Sequence, residues 1–103
     1  MAQEIDSIMS RISRHQGVEG ILLFNLDGIC IKSYNIFDEQ KVKLCSTLCS
    51  DLCFRGKSII KDFSNGKLEM IRIVTDLHEY MIVFERDYIM FTIYKQNDIL
   101  SQK

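Results

Sequence analysis

The stretch Val18-Glu-Gly-Ile-Leu-Leu-Phe-Asn-Leu-Asp-Gly-Ile-Cys-Ile-Lys-Ser33 places two apolar, β-rich runs on either side of a turn. This pattern predicts a β-hairpin. The first run, residues 18–25, is too continuously apolar for a strand with one wetted face, so we expect a central strand that is covered on both faces. Asp27-Gly28 supplies a residue that can turn with positive φ.

Length and composition predict one globular domain. The 103 residues are 47% hydrophobic and 26% charged, and 13 basic against 14 acidic residues leave a net charge of −1. This balance argues against a surface that neutralises nucleic-acid phosphates or anionic lipids. The apolar runs are only of strand length, so neither secretion nor membrane insertion is expected. A chain of this size buries little more than about 60% of its unfolded surface, which favours an added subunit interface.

Two amphipathic helices are predicted on either side of the hairpin. The first has apolar residues at helical spacing from Ile5 to Ile12 and ends at Gly17. Asp38 is a good N-cap for the second, which is predicted to run to about residue 61. Gly56 interrupts this helix and marks either a fraying point or a close approach by another backbone. The apolar face of the second helix comprises Val42, Cys45, Leu48, Cys49, Leu52, Cys53, Ile59 and Ile60.

Three further β-rich runs, residues 68–75, 79–84 and 88–94, follow a break at Ser64-Asn65-Gly66 and predict an antiparallel meander. A long crossing helix suits a connection between separated edges of one sheet. Pairing the last strand with the first gives the order 2-1-5-4-3, with residues 29–34 and 68–75 at the edges. The predicted fold class is therefore α/β of the α+β type: a five-stranded antiparallel sheet with helices on both faces.

The third predicted strand is an unusually bare edge. Only two charged residues, Glu69 and Arg72, oppose pairing of this strand with another chain, and the strand contains no proline. We therefore predict that a second copy pairs there across a two-fold axis, which gives a homodimer with a continuous ten-stranded sheet. The second helix of each subunit would then run beside its mate. The predicted interface residues are Cys45, Cys49, Leu52 and Gly56 on the helix, and Leu68, Met70, Ile71, Arg72, Ile73 and Val74 at the strand.

The cysteines are expected to be free thiols in a reducing compartment. Cys45, Cys49 and Cys53 recur every four residues, and helix neighbours at that spacing have Cβ atoms about 5–6 Å apart, too far for an unstrained disulfide. The alternative is a metal or cluster site with three thiolates on one helix face. Such sites usually take ligands from loops and need a fourth group, which only His15 or His78 could supply as histidine. Packing as small apolar side chains is the favoured interpretation.

Catalysis is not favoured by any motif, and no cofactor is predicted. Asp76, His78 and Glu79 cluster between strands, and Ser33 would complete an imagined triad, but the pairing is arbitrary. The chain contains no nucleophile elbow and no glycine-rich phosphate loop. The basic residues Arg55, Lys57 and Lys61 near the end of the second helix are interpreted as favourable to its dipole rather than as a phosphate site.

The chain resembles the roadblock family of dynein light chains over nearly its whole length. The similar segments, in order, are 17–21 (Gly-Val-Glu-Gly-Ile), 25–29 (Asn-Leu-Asp-Gly-Ile), 31–33 (Ile-Lys-Ser), Arg55, Ser58, Asp62, Leu68, 71–73 (Ile-Arg-Ile), 79–83 (Glu-Tyr-Met-Ile-Val) and 87–88 (Asp-Tyr). The individual motifs are short, so their order and spacing carry the likeness. Two departures from the family are the three-cysteine helix face and a longer, polar tail at 96–103.

The resemblance implies a roadblock/profilin-like domain over residues 1–95, followed by the tail. It implies a non-catalytic homodimer with one helix on each face of a continuous sheet, carried on the intermediate chain of a dynein motor in the cytoplasm or a cilium. The function predicted first is an adaptor that links motor and cargo along microtubules, a role that the short chain favours. The alternative is a regulatory platform for a small GTPase. The partners considered besides the intermediate chain are a small GTPase or a cargo adaptor.

Overall fold

A computed structural model describes residues 2–96 of the chain. Its five strands form one antiparallel sheet in the order β2-β1-β5-β4-β3, as the sequence predicts. Residues 97–103 of the predicted polar tail lie outside the described residues. The elements are α1 (Ala2–Ser13), β1 (Val18–Asn25), β2 (Cys30–Tyr34), α2 (Glu39–Phe63), β3 (Met70–Val74), β4 (His78–Phe84) and β5 (Tyr88–Lys95).

Strand β1 lies inside the sheet and is covered on both faces, which confirms the prediction from its unbroken apolar run. Leu22 and Phe24 pack on the α2 side, whereas Ile21 and Leu23 pack on the α1 side. All four side chains are at most 1% exposed. Alternate residues of a strand point to opposite faces, so a strand between two helices has to be apolar at every position.

The turn between β1 and β2 is built by Asn25 and Gly28. The Asn25 Oδ1 accepts hydrogen bonds from the backbone N–H groups of Asp27 and Ile29, each at 3.0 Å. Gly28 has a φ of 85°, the left-handed conformation that was predicted for it. A bulge between Leu23 and Phe24 shifts the register of the hairpin, and β2 begins at Cys30.

Helix α1 covers the face of the sheet formed by β1 and β5. Met9 is buried against Ile21, Leu23 and Met90. An ion pair between Asp6 and Lys32 also links the helix to β2. After the helix, the Gly17 carbonyl accepts a hydrogen bond of 2.7 Å from the Lys95 backbone N–H, and this bond ties the entry into β1 to the end of β5.

Helix α2 crosses the opposite face. The Asp38 carboxylate caps it by accepting a hydrogen bond of 2.9 Å from the Gln40 backbone N–H. Gly56 lies within a continuous helix, so the predicted fraying point is wrong. A Cβ at this position would stand 2.9 Å from Leu68 Cδ2 and 3.3 Å from Ile71 Cδ1. The close approach is therefore made by side chains of the same chain, not by a backbone.

Strand β3 is shorter than predicted and ends where the turn to β4 begins. The Thr75 Oγ1 accepts hydrogen bonds from the backbone N–H groups of Leu77 and His78 and so turns the chain. Within the part of the chain that is described, neither helix has the length and apolar character needed to span a lipid bilayer.

Candidate docking surface at strand β3 and helix α2

The outer side of β3 carries backbone groups that no other strand within residues 2–96 pairs with. At the two ends of the β3–β4 ladder, the Phe84 N–H donates to the Glu69 carbonyl at 3.0 Å and the Thr75 N–H donates to the His78 carbonyl at 2.8 Å. Bonding alternates along an antiparallel ladder, so the odd-numbered residues of β3 face β4. The N–H and C=O groups of Met70, Arg72 and Val74 therefore point to the open edge.

The side chains of β3 divide between the two faces of the sheet. Ile71 packs against the core under α2. Ile73, on the same face, is 38% exposed, and Met70 and Val74, on the face of α1, are more exposed still. Arg72 forms an ion pair with Glu79 of β4. An edge with free backbone groups and exposed apolar side chains is a template for pairing with another strand.

Helix α2 carries an exposed apolar stripe beside this edge. Leu44, Leu48 and Ile59 are each more than half exposed. At 100° per residue they fall within an arc of about 60°. Ser46 and Ser50 lie on the other side of the helix and approach Gly28 in the β1–β2 turn. The stripe therefore points away from that turn, toward β4 and β3.

Most of the predicted interface residues on α2 lie against the chain's own sheet. Cys45 and Leu52 are half-buried against the core, and Cys49 is 2% exposed. Gly56 faces the side chains of Leu68 and Ile71. Cys49 thus has almost no surface to present to another chain, whereas the stripe of Leu44, Leu48 and Ile59 does. The dimer interface itself stays a prediction.

The cysteines of α2 are held as protonated thiols. Burial, with a smaller effect of Cys45 and Cys53, raises the pKa of Cys49 from 9.0 to about 12. Burial also raises the pKa of Cys45 and of Cys53. A metal ligand has to be a thiolate, which such burial disfavours. Among the described residues, no three His, Cys, Asp or Glu side chains come together in a way that could hold a metal ion.

The residues of the imagined catalytic triad do not assemble. The His78 Nε2 lies 3.0 Å from the Glu19 Oε2, across the sheet from β1. Glu79 is paired with Arg72 instead. Ser33 belongs to β2, at the far edge of the sheet from β3 and three strand positions from His78.

Two of the three basic residues near the end of α2, Arg55 and Lys57, have partners within the chain. The Arg55 Nε lies 2.9 Å from the Asp51 Oδ1, one helical turn earlier. The Lys57 Nζ stands 5.9 Å from the centre of the Phe84 ring. Lys61 is the basic residue of the last turn, where it favours the helix dipole. The interpretation of the basic segment as favourable to the helix dipole, rather than as a phosphate site, stays a prediction.

A groove of about 480 Å³ lies beside the N-terminal half of α2. Its floor includes Tyr80 and Ile93, and Phe37 and Leu44 stand on its rim. The His78–Glu19 pair also lines the groove. The sequence does not predict this groove, because its walls come from five separate segments of the chain. Phe37, a large apolar residue directly before the helix cap, was the one available signal.

Comparison with known proteins identifies the family. A sequence profile of the Roadblock/LC7 domain matches residues 4–95. The chain belongs to the Roadblock/LC7 domain family. This result confirms the resemblance that was found in the sequence, and the predicted strand order with its two helices is the fold of Roadblock/LC7 domains.

Two solved structures share the Roadblock/LC7 fold with this chain. A Roadblock/LC7 domain from Streptomyces avermitilis superposes with a TM-score of 0.75 at 15% identity, over 84% of this chain and 73% of that one. MglB from Myxococcus xanthus superposes with a TM-score of 0.79 at 10% identity, over 96% of this chain and 83% of that one. At such low identities the likeness shows the fold alone.

Proposed function

We propose that this Roadblock/LC7 chain is a non-catalytic, homodimeric light chain of a dynein motor, which binds the intermediate chain and helps to link cargo for transport along microtubules. The observation that carries the proposal is the open edge of β3, where Met70, Arg72 and Val74 direct backbone groups outward next to the apolar stripe of α2. On this proposal the chain works in the cytoplasm or in a cilium, at microtubule-associated dynein.

Pairing of β3 with β3 of a second copy would bond the open backbone groups of the strand and also bury part of the apolar stripe of α2. A two-fold axis perpendicular to the sheet keeps both α2 helices on one face and makes the two β3 strands antiparallel. The outward N–H and C=O groups then bond to each other, and the sheet continues over ten strands. Leu44 and Leu48 lie on the side of α2 that faces the mate, where burial stabilises the pair.

The dimer would serve as a rigid platform for a segment that is disordered when free. Such segments dock in grooves beside helices or along sheet edges, and they become ordered only when they bind. The strand β2 stays at each outer end of the ten-stranded sheet, and the face of β3 and β4 beyond α1 stays open. A light chain needs such surfaces and no chemistry of its own.

The test measures binding of purified protein to recombinant segments of dynein intermediate chain by isothermal titration calorimetry. Saturable binding of one segment per chain, or one per dimer, supports the proposal. If no segment binds, a single-turnover GTP hydrolysis assay on small GTPases, with and without this protein, examines the competing regulatory role. Acceleration of hydrolysis without any binding to the intermediate chain would overturn the light-chain proposal.

A further inference from the structure

Arg72 is the one charged residue of strand β3, and it stands at the middle of the open edge. The strand reads Met-Ile-Arg-Ile-Val over residues 70–74. Its outward N–H and C=O groups belong to Met70, Arg72 and Val74. Alternate residues of a strand share a face, so these three side chains all lie on the face of α1. A strand that pairs with this edge therefore meets a positive charge at its centre.

The three outward residues define the register of the proposed two-fold pairing. Only one symmetric register bonds all of them: Met70 lies opposite Val74 of the second copy, and Arg72 lies opposite Arg72. A shift in either direction leaves an outward residue of each β3 beyond the end of the other strand. The unshifted register also makes cross-strand apolar pairs of Met70 and Val74, which are both exposed in the single chain.

This register places two arginines opposite each other at the two-fold axis. Directly opposed residues of an antiparallel pair have Cα atoms about 4.5–5.5 Å apart, and like charges in such positions are destabilising. The screening length at physiological salt is about 8 Å, so charges at this spacing still repel each other. An edge with an unneutralised Arg72 would therefore resist pairing with its own copy.

Glu79 neutralises Arg72 from the neighbouring strand. The Arg72 Nε donates a hydrogen bond to the Glu79 carboxylate, and the two side chains form an ion pair. Glu79 belongs to β4, opposite Val74, and its side chain is only 20% exposed. On its other side it lies opposite Tyr94 of β5. Each single chain thus holds a largely buried carboxylate against the one charge of its open edge.

We infer that Glu79 is the positioning residue that allows β3 to pair with its own copy, because it neutralises Arg72 at the two-fold axis. The inference rests on the pairing in the proposed function and adds the residue on which self-pairing depends. Across the paired strands the charges then run Glu79, Arg72, Arg72, Glu79. The two Glu79 residues are three strand spacings apart, about 14 Å, which exceeds the screening length, so their mutual repulsion is small.

Sedimentation equilibrium of point variants tests the role of Glu79. Glu79→Gln should raise the dimer Kd by roughly 3- to 10-fold, because it leaves two like charges opposed. The increase should become smaller as the salt concentration rises. Glu69→Gln is the matched control, because it removes the same charge from an exposed residue directly before β3. The control should leave the Kd within about twofold of the wild-type value.

The double variant Arg72→Gln/Glu79→Gln shows whether Glu79 acts through Arg72. It carries no charge at the two-fold axis, so its Kd should return to within about twofold of the wild-type value. If Glu79→Gln has the wild-type Kd, or if the double variant dimerises as weakly as Glu79→Gln, the inference is wrong and the strand pairing still stands. A wild-type chain that stays monomeric would remove the inference and the proposed pairing together.

A mixture of wild-type chain with Arg72→Glu chain tests the register without any change at Glu79. If position 72 faces itself, the mixed dimer opposes Arg72 to a carboxylate, and opposite charges in directly opposed positions stabilise a strand pair. Native mass spectrometry should therefore detect more mixed dimer than random exchange of chains produces. An amount at or below that of random exchange would show that Arg72 does not face itself, which overturns the inference even if Glu79→Gln fails to fold.

Discussion

At the residue scale, Cys49 shows how a thiol serves packing rather than chemistry. Its side chain lies under α2 among Leu22, Phe24 and Ile82, in the core between helix and sheet. The sequence predicted free, packed cysteines from their four-residue spacing. It could not rank the three cysteines of the helix by burial, because spacing alone does not show where the helix axis crosses the sheet.

The raised pKa of Cys49 predicts a loss of stability in alkali. The folded state holds this proton up to a pKa of about 12, while the unfolded thiol loses it near 9.0. The contribution of the Cys49 thiol to the free energy of unfolding is therefore fully present below pH 9 and is lost as the pH rises toward 12. The slope from this one group approaches about 1.4 kcal/mol per pH unit. Urea unfolding of reduced protein at several pH values between these limits measures it.

The variant Cys49→Ala should flatten this pH dependence, although the raised pKa values of Cys45 and Cys53 leave part of it. Cys30→Ala is the comparison: burial raises the pKa of Cys30 as well, but Cys30 is only partly buried on β2, so its removal should flatten the pH dependence less than Cys49→Ala does. If Cys49→Ala keeps the whole slope, the buried thiol is not its source.

At the scale of elements, the sequence predicted strands better than it predicted the outward side of α2. Strand β1 was placed residue for residue, because a strand that is buried on both faces gives an unbroken apolar run. On α2, apolar residues span about half the circumference, from Leu44 round to Cys53, which is wider than the arc that one sheet can cover. Periodicity alone cannot divide such an arc into a core side and a free side. In the structure, the contacts of Ser46 with Gly28 and of Gly56 with Leu68 show which side of α2 faces the rest of the chain.

The alternation along β3 predicts the effect of a proline at its edge. Arg72 directs its N–H outward, so Arg72→Pro leaves the β3–β4 ladder intact but removes a donor from the proposed seam. We expect a folded monomer with normal far-ultraviolet circular dichroism and a weakened or absent dimer in sedimentation velocity. Arg72→Ala, which loses the Glu79 ion pair but keeps the N–H, should stay dimeric. A dimeric Arg72→Pro variant would show that the seam lies elsewhere.

At the scale of the whole molecule, the proposed dimer makes stability depend on concentration. When the folded state is a dimer, mass action raises the Tm with protein concentration. For two chains of this length the rise is about 3 °C for each tenfold increase. Differential scanning fluorimetry over about two decades of concentration measures it. Wild-type protein should show the rise and the Arg72→Pro variant should not, whereas a constant wild-type Tm would contradict a dimeric folded state.

The strand order also sets the sequence of events during synthesis. One neighbour of β1 follows it at once, but the other, β5, ends only at Lys95. During synthesis on the ribosome, the strongly apolar strand β1 therefore lacks one of its two neighbouring strands while α2, β3 and β4 are made. Closure of the sheet depends on contacts between distant residues, which are slow to form. The β1–β2 hairpin is thus the segment of the nascent chain that most needs a chaperone. If the chain leaves the ribosome before β5 has been made, the hairpin is exposed to aggregation.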